Sequence, residues 1–124
     1  KKPLANEFHF DVLNSIKVWL YVNDCYVDNG PLEVVKDSFR QNKEVREISY
    51  KNLNKISNIS NLKEYQNSLK LIAPKGSIII FNTDLLHRAT EIKSNFTRKV
   101  IRGHSFSEKA LEYNYELQRN YTSH

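Results

Sequence analysis

Ser15 to Val22 reads SIKVWLYV, a run dominated by β-branched and aromatic side chains. Such residues pack on a pleated, half-buried surface, so the run predicts a strand. Asp28-Asn29-Gly30-Pro31 follows as a strong turn signal, and Leu32-Glu33-Val34-Val35 reads as a second, short strand. The same alternation of strand and turn returns near residue 69. Leu69 to Ile72 regains order, Pro74-Lys75-Gly76 turns, and Ser77 to Phe81, SIIIF, is an apolar run expected to form a buried strand. Asn82-Thr83-Asp84 is another turn, and Leu85-Leu86-His87 leads into a further short strand. Thr97 to Phe106, TRKVIRGHSF, places Arg98, Val100, Arg102 and His104 on one face of an extended chain. Many short strands broken by turns restrict the chain to an all-β core, a sandwich or a barrel, with minor helices. The sequence holds no heptad pattern and no internal repeat.

Between these β-rich parts, residues 36–68 are polar, with repeated Asn, Lys and Ser. They read as a long insertion or lid, with a short helix expected near Asn61 to Leu69. The tail from Ser107 to Arg119 has helical character, with Leu111, Tyr115 and Leu117 as its packing residues.

Composition narrows the function classes. A chain of 124 residues makes one small domain. At 40% hydrophobic and 27% charged it is neither disordered nor fibrous. No run of 18 apolar residues occurs, which excludes a membrane-spanning helix of the usual kind. The single cysteine, Cys25, excludes an internal disulfide framework and fits a small, half-buried side chain in a reducing cytoplasm, the expected location. The net charge of +5 arises from scattered lysines and arginines without an Arg-rich tract. That pattern argues against a nucleic-acid partner and suits a small anionic substrate or cosubstrate. Oligomeric state is not legible.

Phe8-His9-Phe10-Asp11 carries the first chemistry. In an extended segment, residues i and i+2 point to the same face, so His9 and Asp11 converge while Phe8 and Phe10 face the other way. Read alone, this is either a surface strand with a polar face or a pair of metal ligands. His87, at the end of Leu85-Leu86-His87, is a third candidate ligand on a strand end. Two histidines and one carboxylate are the donor set of non-haem Fe(II) oxygenases, which leaves metal positions open for cosubstrate and oxygen. Arg98, on the next strand, is suited to a dicarboxylate, because its planar fork pairs bidentately and stays charged when buried.

FHFD, KVWLYVNDCYVDNGPLEVV, KGSIIIFNTDLLHRA and TRKVIRGHSF together resemble the phytanoyl-CoA dioxygenase family from about residue 8 to residue 106. The resemblance implies a double-stranded β-helix (a jelly roll, cupin-like) and an Fe(II)- and 2-oxoglutarate-dependent oxygenase. It implies His9, Asp11 and His87 as iron ligands and Arg98 as the anchor of the far carboxylate of 2-oxoglutarate. The implied reaction consumes O2, hydroxylates an unactivated C–H bond of a small molecule, and releases succinate and CO2. The presence of Asp11 favours hydroxylation over halogenation, since halogenating relatives replace this carboxylate with a small residue. In place of the Pro-Gly-Ser-His segment that follows NGPLEVV in the family, this chain has Lys36-Asp37-Ser38-Phe39 and keeps only the serine. The family carries considerable sequence before His-x-Asp, whereas eight residues precede His9 here. The expectation is a single domain over residues 1–124 that is incomplete at its N-terminus and forms the C-terminal part of a longer chain.

Lys17, Trp19 and Tyr21 share one strand face and are candidates to line the cosubstrate pocket; ordinary sheet packing is the other reading. Arg102 and His104 share parity with Arg98 and either touch substrate or are structural. Arg88 is expected to point away from the metal, Asp84 to serve the turn, and His124 is terminal. The alternative functions are a metal-binding jelly roll without turnover, which has no use for Arg98, and a cupin-type isomerase or sugar-binding module.

Overall fold

The computed structural model describes residues 6–60, 62, 64–93 and 95–122. Six strands and two helices follow in the order β1 (Ser15–Tyr21), β2 (Leu32–Val35), α1 (Phe39–Asn52), β3 (Ser68–Lys70), β4 (Ile78–Asn82), β5 (His87–Ala89), β6 (Val100–Phe106) and α2 (Glu108–Thr122). The strands form two antiparallel sheets of three, ordered β4-β1-β6 and β3-β2-β5. Trp19 and Tyr21 of β1 and Leu32 and Val34 of β2 share one buried cluster, with Ile79, Phe81 and Val100 packed against it. The two sheets therefore bury their facing sides in a common core, as an all-β core with minor helices requires.

The strong period-2 alternation of β1 sets which residues face that core. Ser15, Lys17, Trp19 and Tyr21 are buried, while Ile16 and Val18 are exposed. The inner face thus carries a serine and a lysine, and the outer face carries aliphatics. The expectation of a buried SIIIF strand needs correction. β4 is an outer strand of its sheet, and Ile78 and Ile80 are 60% and 67% exposed while Ile79 and Phe81 face the core. A run that is apolar at both parities looks buried on both faces, although only one face of this strand has a layer packed on it.

Residues 36–68 also differ from expectation. The described part of 61–69 holds no helix, and Ser68 begins β3. Instead α1 spans Phe39–Asn52 and closes at Leu53, whose left-handed backbone lets its N–H reach the Ser49 and Tyr50 carbonyls. The buried residues of α1 are Asn42, Arg46, Ser49 and Tyr50, spaced i, i+4, i+7, i+8 on one helical face. The polarity of that face hid the helix from a reading based on hydrophobic periodicity.

The tail is helical as expected, with the Ser107 hydroxyl accepting the Ala110 N–H as an N-cap. Its buried residues are Ala110 and Tyr113, with Leu117 packed against them, whereas Leu111 and Tyr115 are exposed. The helix turns this face inward because Tyr50 of α1 offers Tyr113 a ring to stack on, at 4.1 Å between centroids. No described helix is long and apolar enough to cross a membrane. Cys25 is a free thiol, 1% exposed, and so more deeply buried than expected. His124 lies outside the described residues.

Candidate metal centre

His9 and His87 are brought together by backbone pairing. The His9 N–H donates to the His87 carbonyl at 3.1 Å and the His87 N–H donates to the His9 carbonyl at 2.8 Å, an isolated antiparallel bridge. Directly opposed residues of such a bridge put their side chains on the same side, and the two imidazoles lie 4.6 Å apart. Asp11 joins them because it is two residues past His9, with its N–H bound to the Thr83 carbonyl at 3.0 Å. Phe8 and Phe10 turn the other way, into a cluster with Val35 and Leu86. One candidate ligand atom from each of His9, Asp11 and His87 falls within a mutual spread of 4.8 Å.

The protonation pattern suits a cation. The Nδ1 of His9 lies 2.7 Å from the Glu7 carbonyl and that of His87 lies 2.8 Å from the Leu85 carbonyl. A carbonyl only accepts, so both Nδ1 atoms carry a proton, which leaves Nε2 as the ring atom free to ligate a cation. Burial, the largest influence, pushes His9 below the ordinary imidazole value; its bond to Glu7 opposes this and the nearby His87 adds to it. The Nε2 atoms lie 3.7 Å and 3.4 Å from Asp11 Oδ1. Three candidate ligand atoms therefore face one point.

Lys17 also reaches this group. Its ammonium, on the inner face of β1, lies 2.8 Å from Asp11 Oδ2 and 3.3 Å from His87 Nε2. Burial alone would raise the Asp11 carboxyl, but its contacts with His87 and Lys17 outweigh burial and hold it well below the usual carboxylate range. Lys17 makes the shorter of the two contacts, at 2.8 Å against 3.4 Å for His87. Oδ2 is thereby occupied, and Oδ1 is the oxygen turned toward the histidines.

Trp19 is the next inward residue of β1, about 7 Å along the strand from Lys17. The Arg98 guanidinium lies 5.7 Å from the Trp19 ring centre, and its Nη1 donates to the Gly30 carbonyl. Among the described residues Arg98 pairs with no carboxylate, and the buried Trp19 Nε1 has no hydrogen-bond partner. Tyr21, one step further, has a hydroxyl that donates to the Leu71 carbonyl and accepts the Leu32 N–H, joining β1 to β2. The inner face of β1 thus runs from the ligand group at Lys17 to an arginine and an unpartnered indole N–H at Trp19.

The remaining candidates are also placed. Arg88 pairs with Glu33 at 2.8 Å and lies over the Phe8 ring, on the far side of β5 from His87. Arg102 and His104 sit opposite Trp19 and Lys17 in the register with β6, where the inner face opens to solvent. His104 Nδ1 is 3.2 Å from the Ser15 hydroxyl, and its ring stacks on Phe106. Asp84 does lie in the turn, yet it is 2% exposed and ion-paired with Arg46. Arg46 is a residue that sequence reasoning passed over; the helical spacing of 42, 46, 49 and 50 was the signal for it. A cavity of about 240 Å³ lined by Asn14, Arg46, Tyr50 and Asp84 lies behind this turn, and none of the three candidate ligands lines it.

Fold and site first define a class: a two-sheet β protein with two histidines and a carboxylate converging, and an arginine further along the same sheet face, over Trp19. The family model described as phytanoyl-CoA dioxygenase (PhyH) matches residues 6–100, a span that includes His9, Asp11, His87 and Arg98. The chain belongs to the phytanoyl-CoA dioxygenase family, an oxygenase-type family of enzymes. A search of curated proteins found no match.

Proposed function

We propose that the chain is a cytoplasmic Fe(II)- and 2-oxoglutarate-dependent dioxygenase that hydroxylates an unactivated C–H bond of a small molecule, with succinate and CO2 as coproducts. The proposed architecture is the double-stranded β-helix of the family. The observation that carries the reading is the convergence of His9, Asp11 and His87, with their ligand atoms within 4.8 Å. Their chemistry fits iron(II), for which two imidazoles and one carboxylate occupy one face and leave the other positions open. When bound, iron(II) with 2-oxoglutarate and O2 supplies the oxidising power that side chains lack.

The side chains hold, orient and shield. The Nδ1 bonds to Glu7 and Leu85 orient the rings, so His9 and His87 present Nε2 as the atom free to ligate. Lys17 restrains Asp11 so that one oxygen faces the histidines. Arg98 and the Trp19 indole N–H are the donors offered to the far carboxylate of the cosubstrate. The Trp19 N–H has no acceptor among the described residues, and Arg98 donates to the Gly30 carbonyl through Nη1. Phe81, packed edge-on to His87 at 5.0 Å, keeps water from one side of the ligand group. Tyr21 contributes by fixing β1 against β2 rather than through a free hydroxyl.

Anaerobic titration with Fe(II), then 2-oxoglutarate, tests this. The expected result is a visible charge-transfer band that is lost in His87→Ala and requires at least tenfold more 2-oxoglutarate in Arg98→Ala. A folded wild-type chain with no band would refute the reading.

A further inference from the structure

Helix α1 was read from sequence as part of an insertion, with a lid as its natural role. Its contacts describe something else. Three residues of its buried side, together with its N-cap, reach two segments, and those segments carry the candidate ligands. Arg46 Nη2 donates to the Asp11 carbonyl. The Tyr50 hydroxyl donates to the Val12 carbonyl at 3.1 Å and accepts the Asn14 N–H at 3.0 Å. On the other side, Asn42 Nδ2 donates to the Asp84 carbonyl at 2.7 Å, and the Leu86 N–H donates to the Ser38 hydroxyl at 2.8 Å. Arg46 also pairs with the Asp84 carboxylate and lies over the Phe10 ring. Asn14 closes the ring of contacts, donating to Asp84 Oδ2 at 3.1 Å.

We infer that α1 is a polar splint for the metal centre and that Arg46 is its positioning residue. The inference rests on the metal-centre reading above. His9 makes two isolated bridges, to Ile59 and His87, and residues 10 and 11 belong to no strand, so no sheet ladder fixes Asp11, whose N–H is held by the Thr83 carbonyl alone. His87 is the first residue of a three-residue strand and is preceded by a turn. Arg46 adds a side-chain tie to these two segments, which otherwise meet through the His9–His87 bridge and the bond from the Asp11 N–H to the Thr83 carbonyl: one N–H on the backbone of Asp11, the charge on Asp84, three residues before His87. The side chain is 3% exposed, so this cation has left water to make those contacts. A buried arginine held this way rewards one geometry and penalises others, because each lost contact leaves a buried polar group unpaired. The retained Ser38, which survives where the family's Pro-Gly-Ser-His segment is otherwise replaced, belongs to the same device: it ties the N-terminus of α1 to Leu86, next to His87.

Binding free energies are reciprocal, so if α1 orders the ligands then a metal must order α1. The experiment uses Co(II), an oxygen-stable probe of the same donor set, at a temperature where circular dichroism shows every variant folded. Arg46→Met is expected to weaken Co(II) binding by about 10–100-fold, as loss of an outer-shell partner does, and to change the visible Co(II) spectrum. Arg46→Lys, which keeps the charge but not the fork, is expected to recover part of the affinity. Co(II) is expected to slow amide exchange across 39–52 in wild type and not in His87→Ala. Should Arg46→Met fail to fold, Tyr50→Phe and Asn42→Ala carry the same test with smaller expected losses. Unchanged Co(II) affinity and spectrum in variants that only unfold more easily would overturn the inference, leaving α1 a structural helix. A folded wild type that binds no Co(II) would overturn the metal-centre reading, and the splint with it.

Discussion

Gly30 adopts φ +74, in the left-handed region where a side chain is strained, and a Cβ there would meet Ile92 Cγ1 at 2.7 Å, the Thr90 carbonyl at 2.9 Å and Arg98 Nη1 at 3.1 Å. Its carbonyl is also the acceptor that holds Arg98. One residue thus combines a turn conformation, a close approach and the placement of the proposed cosubstrate anchor. Gly30→Ala is expected to destabilise the protein by roughly 1–3 kcal/mol, the usual cost of a forced backbone conformation. It is also expected to weaken 2-oxoglutarate more than Fe(II), because the disturbed group is Arg98 and not a ligand of the triad. Urea midpoints and separate titrations of the two would show it. A variant with the wild-type midpoint would mean that the turn relaxes without cost.

At the scale of elements, the two helices show what a sequence reveals and what it hides. Strand β1 was legible because eight consecutive residues from Ser15 are β-branched, aromatic or alternating, and His9 with Asp11 was legible because a period of two needs no partner to be recognised. The bridge between His9 and His87 was not, since long-range pairing leaves no local mark. Helix α1 was missed because it buries Asn42, Arg46, Ser49 and Tyr50, residues that compose a solvent face in most helices. Helix α2 was found but mis-phased. The ring that receives Tyr113 belongs to Tyr50, which no reading of α2 alone contains. That contact also makes a prediction. Tyr113 is 4% exposed, stacks on Tyr50, and donates its hydroxyl to the Asn54 carbonyl at 2.7 Å. Tyr113→Ala is expected to cost about 3 kcal/mol in urea unfolding, in the range of large aromatic truncations. A loss below about 0.5 kcal/mol, typical of a surface site, would mean that α2 does not dock on α1 in solution.

The whole molecule places three donors where none would be in the unfolded chain. His9 and Asp11 lie near one end of the matched region and His87 near the other, and only the fold brings them within 4.8 Å. A metal bound by all three therefore favours the folded state by mass action. At a hundredfold excess over its dissociation constant the gain is about 2.7 kcal/mol. For a chain of 124 residues each kcal/mol moves the melting temperature by roughly 3–6 °C, so a rise of about 10 °C is expected. The rise should vanish in His87→Ala. It should persist in His104→Ala, because His104 turns its Nδ1 to the Ser15 hydroxyl and stands outside the three-residue group. Differential scanning calorimetry with and without Co(II) separates the outcomes. A rise that survives His87→Ala would place the metal elsewhere on the protein. A rise lost in His104→Ala would add a fourth ligand from the open edge of β6, closing a position that an oxygenase must keep for its cosubstrate or oxygen.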